Sequence, residues 1–284
     1  MDLDQIRTTA IIAICSDDYL FDRLVLKGGN ALRLVYGISH RTSLDLDFSM
    51  ESDFEDLGEA EKHLLSALEK NFSLLDLCLF DSKFYPKPKT SENEWWGGYC
   101  VEFKLIDRQK SESLSGNLEQ MRRESLSVDY DGQSSRRFTI DISKHEFVGG
   151  KEQSKIEGYI CYVYSPSMIA AEKLRAICQQ MPEYEFVKGK KRRARDFYDL
   201  FAILEKTAVD FSAPEFQEII SKVFDIKKVP IGLLGRISLP EIREYHETDW
   251  ISVQDSLGDK SRNFEFYYNY VCSKLERLES LWIE

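Results

Sequence analysis

Residues 24–50 read LVLKGGNALRLVYGISHRTSLDLDFSM, and this stretch decides the fold. Its apolar start predicts a short strand, and the Lys-Gly-Gly that follows predicts a turn with positive φ. Residues 31–36 predict a short helix that ends at Gly37. A helix that begins at a glycine turn favours negative charge at its first amides. We therefore expect this turn to approach a phosphate.

The same stretch ends in SLDLDF, residues 43–48, in which apolar and acidic positions alternate. As a strand, this segment buries its apolar residues and turns Asp45 and Asp47 to one face. Strands disfavour Asp and paired carboxylates repel, so a bound cation, Mg²⁺ carrying a nucleotide triphosphate, accounts for both acids. A solvated strand face is the alternative. The nucleotide contacts are assigned to residues of the turn and helix: Lys27, Gly28, Gly29, Asn30 and Arg33.

This order of glycine turn, helix and D-x-D resembles the nucleotidyltransferase superfamily of DNA polymerase β type. More narrowly, K-G-G-N-A-L-R-L-V-Y-G-I followed by R-T-S-L-D-L-D-F resembles the opening motif of the AbiEii/AbiGii toxin family. Members of that family are toxin halves of bacterial toxin–antitoxin and phage-defence systems. The resemblance covers about twenty-five residues. Asn30 stands where the family usually has Ser or Thr, and the interval from Gly29 to Asp45 is longer than in compact members of the superfamily.

The resemblance implies an α+β fold, with a polymerase β-like mixed sheet and flanking helices followed by a C-terminal helical region. We predict a catalytic domain over residues 1–150 and a mostly helical domain over 151–284 that contributes to the site. The implied activity is transfer of NMP from an NTP, with Mg²⁺ or Mn²⁺, to an RNA acceptor such as a tRNA 3′ end. A cognate antitoxin is implied as partner. Nucleotidylation or phosphorylation of a protein, or nucleotide binding without catalysis, are the alternatives.

Polymerase β-like transferases take a third carboxylate from a later strand of the same sheet. Residues 137–143, RFTIDIS, predict such a strand, with Asp141 between two isoleucines. Family members carry an acid in a similar I-[DE]-I setting, so Asp141 is predicted to join Asp45 and Asp47 as a metal ligand. Glu102, in the strand predicted over 98–106, remains the alternative.

Two further family blocks lie in the second half of the chain. Ser165-Pro166 predicts a helix start, and that helix carries A-A-E-K-L-R-A, which resembles the E-K-x-x-A block. R-A-R-D-F-Y-D-L-F resembles the R-D-x-x-D-L block. The match implies that Lys173 contacts the nucleotide phosphates and that Asp196 is an active-site acid. A snorkelling surface charge is the alternative for Lys173, and a surface pair with Arg195 is the favoured reading of Asp199.

Residues 188–195 read KGKKRRAR, six bases in eight residues, whereas the whole chain has a formal charge of −11. Any nucleic-acid contact must therefore use a local basic patch. We predict that this segment binds RNA, and a solvated loop is the alternative. The residues assigned to RNA binding are Lys190, Lys191, Arg192 and Arg193.

The remaining sequence patterns predict further helices and strands and the cellular compartment. Helical spacing predicts helices within 3–23, 55–70, 214–224 and 263–281 and a helical pattern from about residue 151, with a strand at 72–80 and a polar excursion at 81–97. The acidic N-terminus predicts no signal peptide and no membrane span, hence a cytoplasmic protein. Six cysteines without C-x-x-C spacing and four scattered histidines predict reduced thiols and no zinc site.

Overall fold

A computed structural model describes residues 2–38, 45–90, 93–130, 133–187, 189–257 and 261–283. The chain forms two compact units, Met1–Val35 with Thr42–Val163 and Tyr36–Arg41 with Tyr164–Glu284. The division falls later than the predicted boundary at residue 150. Residues 151–164 form two strands, both within the sheet of the first unit, in place of the predicted helical pattern.

The first unit contains a seven-stranded mixed sheet and a separate pair of short strands. The strands are β1 (Val25–Lys27), β2 (Leu46–Ser49), β3 (Leu77–Lys87), β4 (Gly98–Asp107), β5 (Val128–Tyr130), β6 (Gln133–Ser135), β7 (Phe138–Ser143), β8 (Lys151–Ile156) and β9 (Tyr159–Tyr164). Their order in the sheet is β3-β4-β7-β2-β1-β9-β8, and β5 and β6 pair separately. β2 runs parallel to β7 and antiparallel to β1, whereas β4 runs antiparallel to β7. This is the predicted α+β fold.

Strand β3 differs from its prediction at both ends. It begins at Leu77 because the preceding helix continues to Ser73 and buries Phe72. It continues to Lys87 through Pro86, into the predicted polar excursion. β3 is an edge strand of the sheet, and an edge strand tolerates proline because one side of its backbone has no ladder partner.

Helices flank the sheet of the first unit. They are α1 (Leu3–Cys15), α2 (Asp18–Phe21), α3 (Gly28–Asn30), α4 (Leu57–Ser73), α5 (Arg108–Ser113) and α6 (Leu118–Glu124), and α3 continues as a π-helical turn, Ala31–Val35. α1 packs against α4, and both helices bury apolar residues, among them Ile6 and Ile14 on α1 and Leu64 on α4. Gly37 has φ +62°, so the predicted glycine stop is confirmed.

The second unit is helical. It contains α7 (Pro166–Cys178), α8 (Ala194–Lys206), α9 (Pro214–Asp225), α10 (Pro240–Glu247), α11 (Trp250–Leu257) and α12 (Phe264–Leu275), with 3₁₀ turns at Ile231–Arg236 and Glu276–Leu281. Ser165 caps α7, since its hydroxyl accepts from the Met168 amide at 3.3 Å, and Pro166 occupies the first turn. The predicted helix start is confirmed. Within the described ranges, no helix has the length and apolarity needed to cross a bilayer.

The cysteines differ from the prediction of reduced thiols at one pair. Cys15 on α1 and Cys161 on β9 form a disulfide, with a Cα–Cα distance of 5.3 Å. The two residues are 146 positions apart, so no local spacing signals the pair. The other four cysteines are free.

Candidate active site

Five strands of the sheet contribute one residue each to a single cross-strand row. Lys27 on β1 lies opposite Asp47 on β2, and Asp47 lies opposite Asp141 on β7. The row continues through Cys100 on β4 to Tyr85 on β3. Paired residues of neighbouring strands point to the same face of a sheet. The fold therefore brings two carboxylates side by side, between a lysine and a thiol.

The glycine turn approaches the first of these carboxylates closely. Gly28 directly follows β1, starts α3 and has φ +72°. A Cβ atom at this position would lie only 2.8 Å from Oδ2 of Asp47. Both the positive φ and the lack of space require glycine here, so the predicted positive φ of the turn is confirmed.

Two buried polar residues attach this turn to its neighbours. Asn30 is fully buried, and its amide nitrogen donates to the backbone carbonyl of Asp45 at 2.6 Å. Lys27 is also buried, and its ammonium donates to Oγ of Ser143 at 3.2 Å. Asn30 thus positions the segment that enters β2, a role different from its predicted nucleotide contact. β2 begins at Leu46, so exposed Asp45 precedes the strand, and residues 39–44 lie outside the described residues.

Asp141 forms an ion pair with a lysine of the same chain. Lys87, the last residue of β3, donates to Oδ1 and Oδ2 of Asp141 at 2.9 and 2.8 Å. Burial alone would lower the pKa of Lys87, but the hydrogen bond and the charge of Asp141 raise it above its usual value. Burial raises the pKa of the neighbouring Cys100 thiol to about 11. Cys100 is therefore a neutral neighbour of the acid pair at physiological pH.

Glu102, the alternative third acid, has other partners. It lies opposite Thr139, outside the row that contains the acid pair. The Tyr85 hydroxyl donates to Oε1 of Glu102 at 2.6 Å, and the Arg137 guanidinium lies 3.0 Å from Oε2. Asp141 is better placed, because it lies directly beside the D-x-D acid. Its role as a metal ligand stays a prediction.

The donor set of the row fits a divalent cation. Asp47 and Asp141 offer adjacent carboxylates, and Mg²⁺ is commonly bound by one or two carboxylates together with substrate phosphates and water. No three His, Cys, Asp or Glu side chains gather into a metal group anywhere in the described part of the chain. The Lys87 ammonium on Asp141 nevertheless marks a position that a cation occupies.

Arg33 has a different partner from the predicted nucleotide. Its guanidinium pairs with both carboxylate oxygens of Asp4 on α1. Asp4 also pairs with Arg7, at 3.1 Å. A two-point guanidinium–carboxylate contact fixes geometry as well as charge, so it ties the π-helical turn to α1. Nucleotide binding by Arg33 would require this pair to open.

In the second unit, Lys173 lies between two buried carboxylates. Its ammonium donates to Asp196 at 2.9 Å and to Asp199 at 2.6 Å. Lys173 is 8% exposed and Asp199 is fully buried, so the snorkelling lysine and the surface pair of Asp199 with Arg195 are both wrong. Burial alone would lower the pKa of Lys173, but the two carboxylates raise it. Burial would raise the pKa of Asp196, but the charges of Lys173 and Arg193 lower it.

Lys190, at the start of the basic segment, has a structural role. Its ammonium donates to three backbone carbonyls at 3.0, 2.9 and 2.5 Å, those of Gln179, Met181 and Tyr184. An ammonium has three hydrogens, so all its donors are used, and Lys190 closes the C-terminal end of α7. Burial lowers its pKa. These contacts do not fit the predicted RNA-binding role of Lys190.

The bases that follow differ in exposure. The backbone amide of Arg193 donates to Nδ1 of His246 at 2.9 Å. Burial lowers the pKa of His246 to about 4, so its imidazole is neutral and can accept this bond. Lys191 and Arg192 are exposed, while Lys188 lies outside the described residues.

A mixed sheet whose adjacent strands carry paired acids beside a glycine turn is the arrangement expected of a nucleotidyltransferase, and comparisons with known proteins show that class. The model of the family described as "Nucleotidyl transferase AbiEii toxin, Type IV TA system" matches residues 11–270. The chain belongs to this family. It is therefore a nucleotidyltransferase toxin of a type IV toxin–antitoxin system, and the family implies a cognate antitoxin.

Solved structures support the fold. JHP933 from Helicobacter pylori is 17% identical, with a TM-score of 0.51, and the match covers 98% of this chain and 91% of that chain. MenT4, a nucleotidyltransferase toxin from Mycobacterium tuberculosis, is 15% identical, with a TM-score of 0.51, and the match covers 98% and 82%. At these identities the likeness shows the fold alone. No curated protein matches the chain.

Proposed function

We propose that this toxin transfers NMP from an NTP to an RNA, with a tRNA 3′ end as the acceptor, in a reaction that depends on Mg²⁺ or Mn²⁺. The observation that carries the proposal is the position of Asp141 directly beside Asp47, with Gly28 in close approach to Asp47. In this site Asp45, Asp47 and Asp141 hold the metal. Bound divalent cations neutralise the triphosphate and favour the attacking alkoxide.

The residues of the turn have the task of admitting and orienting the triphosphate. Gly28 and Gly29 let the backbone approach the phosphates, while Asn30 holds the segment that carries Asp45. The acceptor hydroxyl oxygen attacks the α-phosphorus in line as the bond to the β-phosphate oxygen breaks, the hydroxyl proton goes to solvent, and pyrophosphate leaves. The family motifs assign Lys173 to the phosphates and Asp196 to the active site, and these assignments stay predictions.

Label transfer tests the proposal. The protein is incubated with Mg²⁺, total tRNA and each α-labelled NTP in turn, and label is measured on RNA and on protein. Label on RNA at levels that depend on Mg²⁺ supports the proposal. Label on a protein would show that the acceptor is a protein and not RNA. The absence of label from both would refute NMP transfer.

Gly28→Ala is expected to abolish this transfer, while Gly37→Ala is not. Both glycines have positive φ, so each substitution costs about 1–2 kcal/mol of folding free energy. Among the described residues, a Cβ at Gly37 meets nothing within 4 Å, whereas a Cβ at Gly28 displaces the Asp47 carboxylate. We expect at least about a hundredfold loss of kcat/KM for Gly28→Ala, equivalent to about 3 kcal/mol. Equal activity in both variants, measured below their melting temperatures, would contradict the close approach.

The exposed bases Lys191 and Arg192 supply the acceptor contact in this proposal. Replacing both by Ala should raise the KM for tRNA and leave NTP affinity unchanged. Each phosphate contact contributes about 0.7–0.9 to the slope of log affinity against log salt, so the slope should fall by about 1.5. Titration of labelled tRNA at several salt concentrations measures it. Lys190 is kept, because it closes α7.

The matched control removes two exposed lysines from α4, Lys62 and Lys70, and so changes the net charge equally. This control should leave the salt slope at the wild-type value. A slope that falls equally in both double variants reports net charge alone. If the salt slope falls in neither double variant, Lys191 and Arg192 belong to a solvated loop and do not bind RNA.

A further inference from the structure

We propose that Lys87 is a nucleotide-binding residue that occupies Asp141 in the metal-free protein and transfers its ammonium to the nucleotide phosphates when a divalent cation binds. The proposal rests on the proposed function, since it uses the same acid pair. It adds a residue from β3 that lies outside every sequence motif of the site.

The sheet register brings Lys87 to the acid pair. Tyr85 lies opposite Cys100, which lies opposite Asp141, and Lys87 is two positions beyond Tyr85 on β3. Residues two apart on a strand share a face, so the Lys87 side chain is on the face of the row. Its ammonium lies within 2.9 Å of both Asp141 oxygens, the atoms that a metal would use.

The ion pair between Lys87 and Asp141 can open without disrupting the fold. The Lys87 side chain is 54% exposed and that of Asp141 is 27% exposed. An ion pair with this exposure contributes little to folding, about 0–1 kcal/mol, so the fold does not require it. Lys27 contrasts with Lys87, because Lys27 is buried and hydrogen-bonded to Ser143. Lys87 has a four-carbon stem in solvent and can swing to a new partner.

Repulsion between cations determines where the Lys87 ammonium moves. Asp141 cannot direct both oxygens to a divalent cation and keep an ammonium on them, because the two cations repel at contact distance. When Asp141 binds the cation, Lys87 must leave. In the proposed function the new anion that arrives with the cation is the triphosphate, and the flexible four-carbon stem of Lys87 would let its ammonium turn from Asp141 to that anion. The ammonium then offsets phosphate charge.

In this arrangement Lys87 lowers the affinity of the site for a free metal ion and raises its affinity for the nucleotide. Lys87→Met keeps the stem and removes the charge. We expect Mn²⁺ without nucleotide to bind about two- to fivefold more tightly, since the competing ammonium is gone. We expect the Mg²⁺ complex of a non-hydrolysable NTP analogue to bind about tenfold more weakly, since a charged hydrogen bond is lost. Calorimetric titration of each ligand measures both affinities without turnover.

The matched control is Lys83→Met, which removes an exposed lysine from the same strand. Its two affinities should stay at wild-type values, and Lys87→Arg, which keeps a cation, should retain nucleotide affinity. If Lys87→Met matches Lys83→Met, or if its two affinities shift in the same direction, or if only one shifts, the proposal for Lys87 is overturned. If the wild-type protein binds neither Mn²⁺ nor nucleotide, the proposed function falls as well.

Discussion

Asp47→Asn is expected to lower kcat/KM for NMP transfer by about a thousandfold or more while the protein stays folded. A carboxylate that holds a catalytic divalent cation contributes several kcal/mol to the transition state, and about 4 kcal/mol corresponds to this factor. Asparagine keeps the shape of the side chain and one oxygen, so packing beside Gly28 is preserved. The loss should therefore appear in catalysis rather than in folding.

Opposing charge effects explain why the fold should tolerate this substitution. The variant loses repulsion from Asp141, which lies beside it, and attraction to Lys27, which lies opposite on β1. We expect the free energy of unfolding to change by less than about 1 kcal/mol, measured by urea denaturation without metal.

Asp76→Asn is the matched control, because it removes one negative charge from a side chain that is 89% exposed. Asp76 has φ 55°, a conformation that Asn tolerates well. This control should keep wild-type activity. Activity near wild type for Asp47→Asn in Mg²⁺ would exclude Asp47 as a metal ligand, and loss of host toxicity in Asp47→Asn alone would link the chemistry to the toxin.

The sequence predicts the central motif of the fold well because that motif is local. The strand, the glycine turn with its positive φ at Gly28 and the stop at Gly37 each depend on residues only a few positions apart. The strands that carry Glu102 and Asp141 also follow from alternation alone. Their register does not, and only the register places Asp141 beside Asp47.

Two of the contacts that the sequence does not predict join distant residues. Lys87 reaches Asp141 from 54 positions away, and Arg33 pairs with Asp4, which is 29 positions away. The hairpin after residue 150 was missed for another reason. β8 is a polar edge strand with little buried surface, so its sequence lacks the apolar alternation that marks a strand. In the basic segment, composition cannot distinguish the Lys190 that closes α7 from exposed Lys191.

Lys173→Met is expected to cause the largest loss of stability, about 3–5 kcal/mol at pH 8, because it leaves Asp196 and Asp199 buried without their common cation. In the wild-type protein the pKa of Asp196 is lowered, so its stabilising effect is present above its unfolded pKa of about 4 and is lost as pH falls through the folded pKa. The pKa of Lys173 is raised, so its effect is lost only in strong alkali. The contribution of Lys173 and its two acids to wild-type stability should therefore be flat from pH 5 to pH 8.

In Lys173→Met the pH dependence that the buried acids contribute should reverse its sign. Without the ammonium, burial raises the pKa of the Asp196 carboxyl, so the folded protein favours its protonated form. Stability is then present at low pH and is lost as pH rises. Urea denaturation at pH 5 and pH 8 should show that the variant loses less stability, relative to the wild type, at pH 5 than at pH 8. An equal loss relative to the wild type at both pH values would contradict the buried triad of Lys173 with its two acids.

A second substitution separates the structural role of Lys173 from its predicted contact with nucleotide. In Lys173→Met/Asp199→Asn only Asp196 remains charged, and Arg193 lies 3.7 Å from it. We expect this double variant to regain about 2 kcal/mol relative to Lys173→Met, because one uncompensated buried charge is gone. Asp199→Asn alone is the control. Affinity for a non-hydrolysable NTP analogue decides the role: if it stays weak in the double variant although the fold has recovered, Lys173 binds phosphate. Affinity that returns to the Asp199→Asn level would show that Lys173 serves the fold alone.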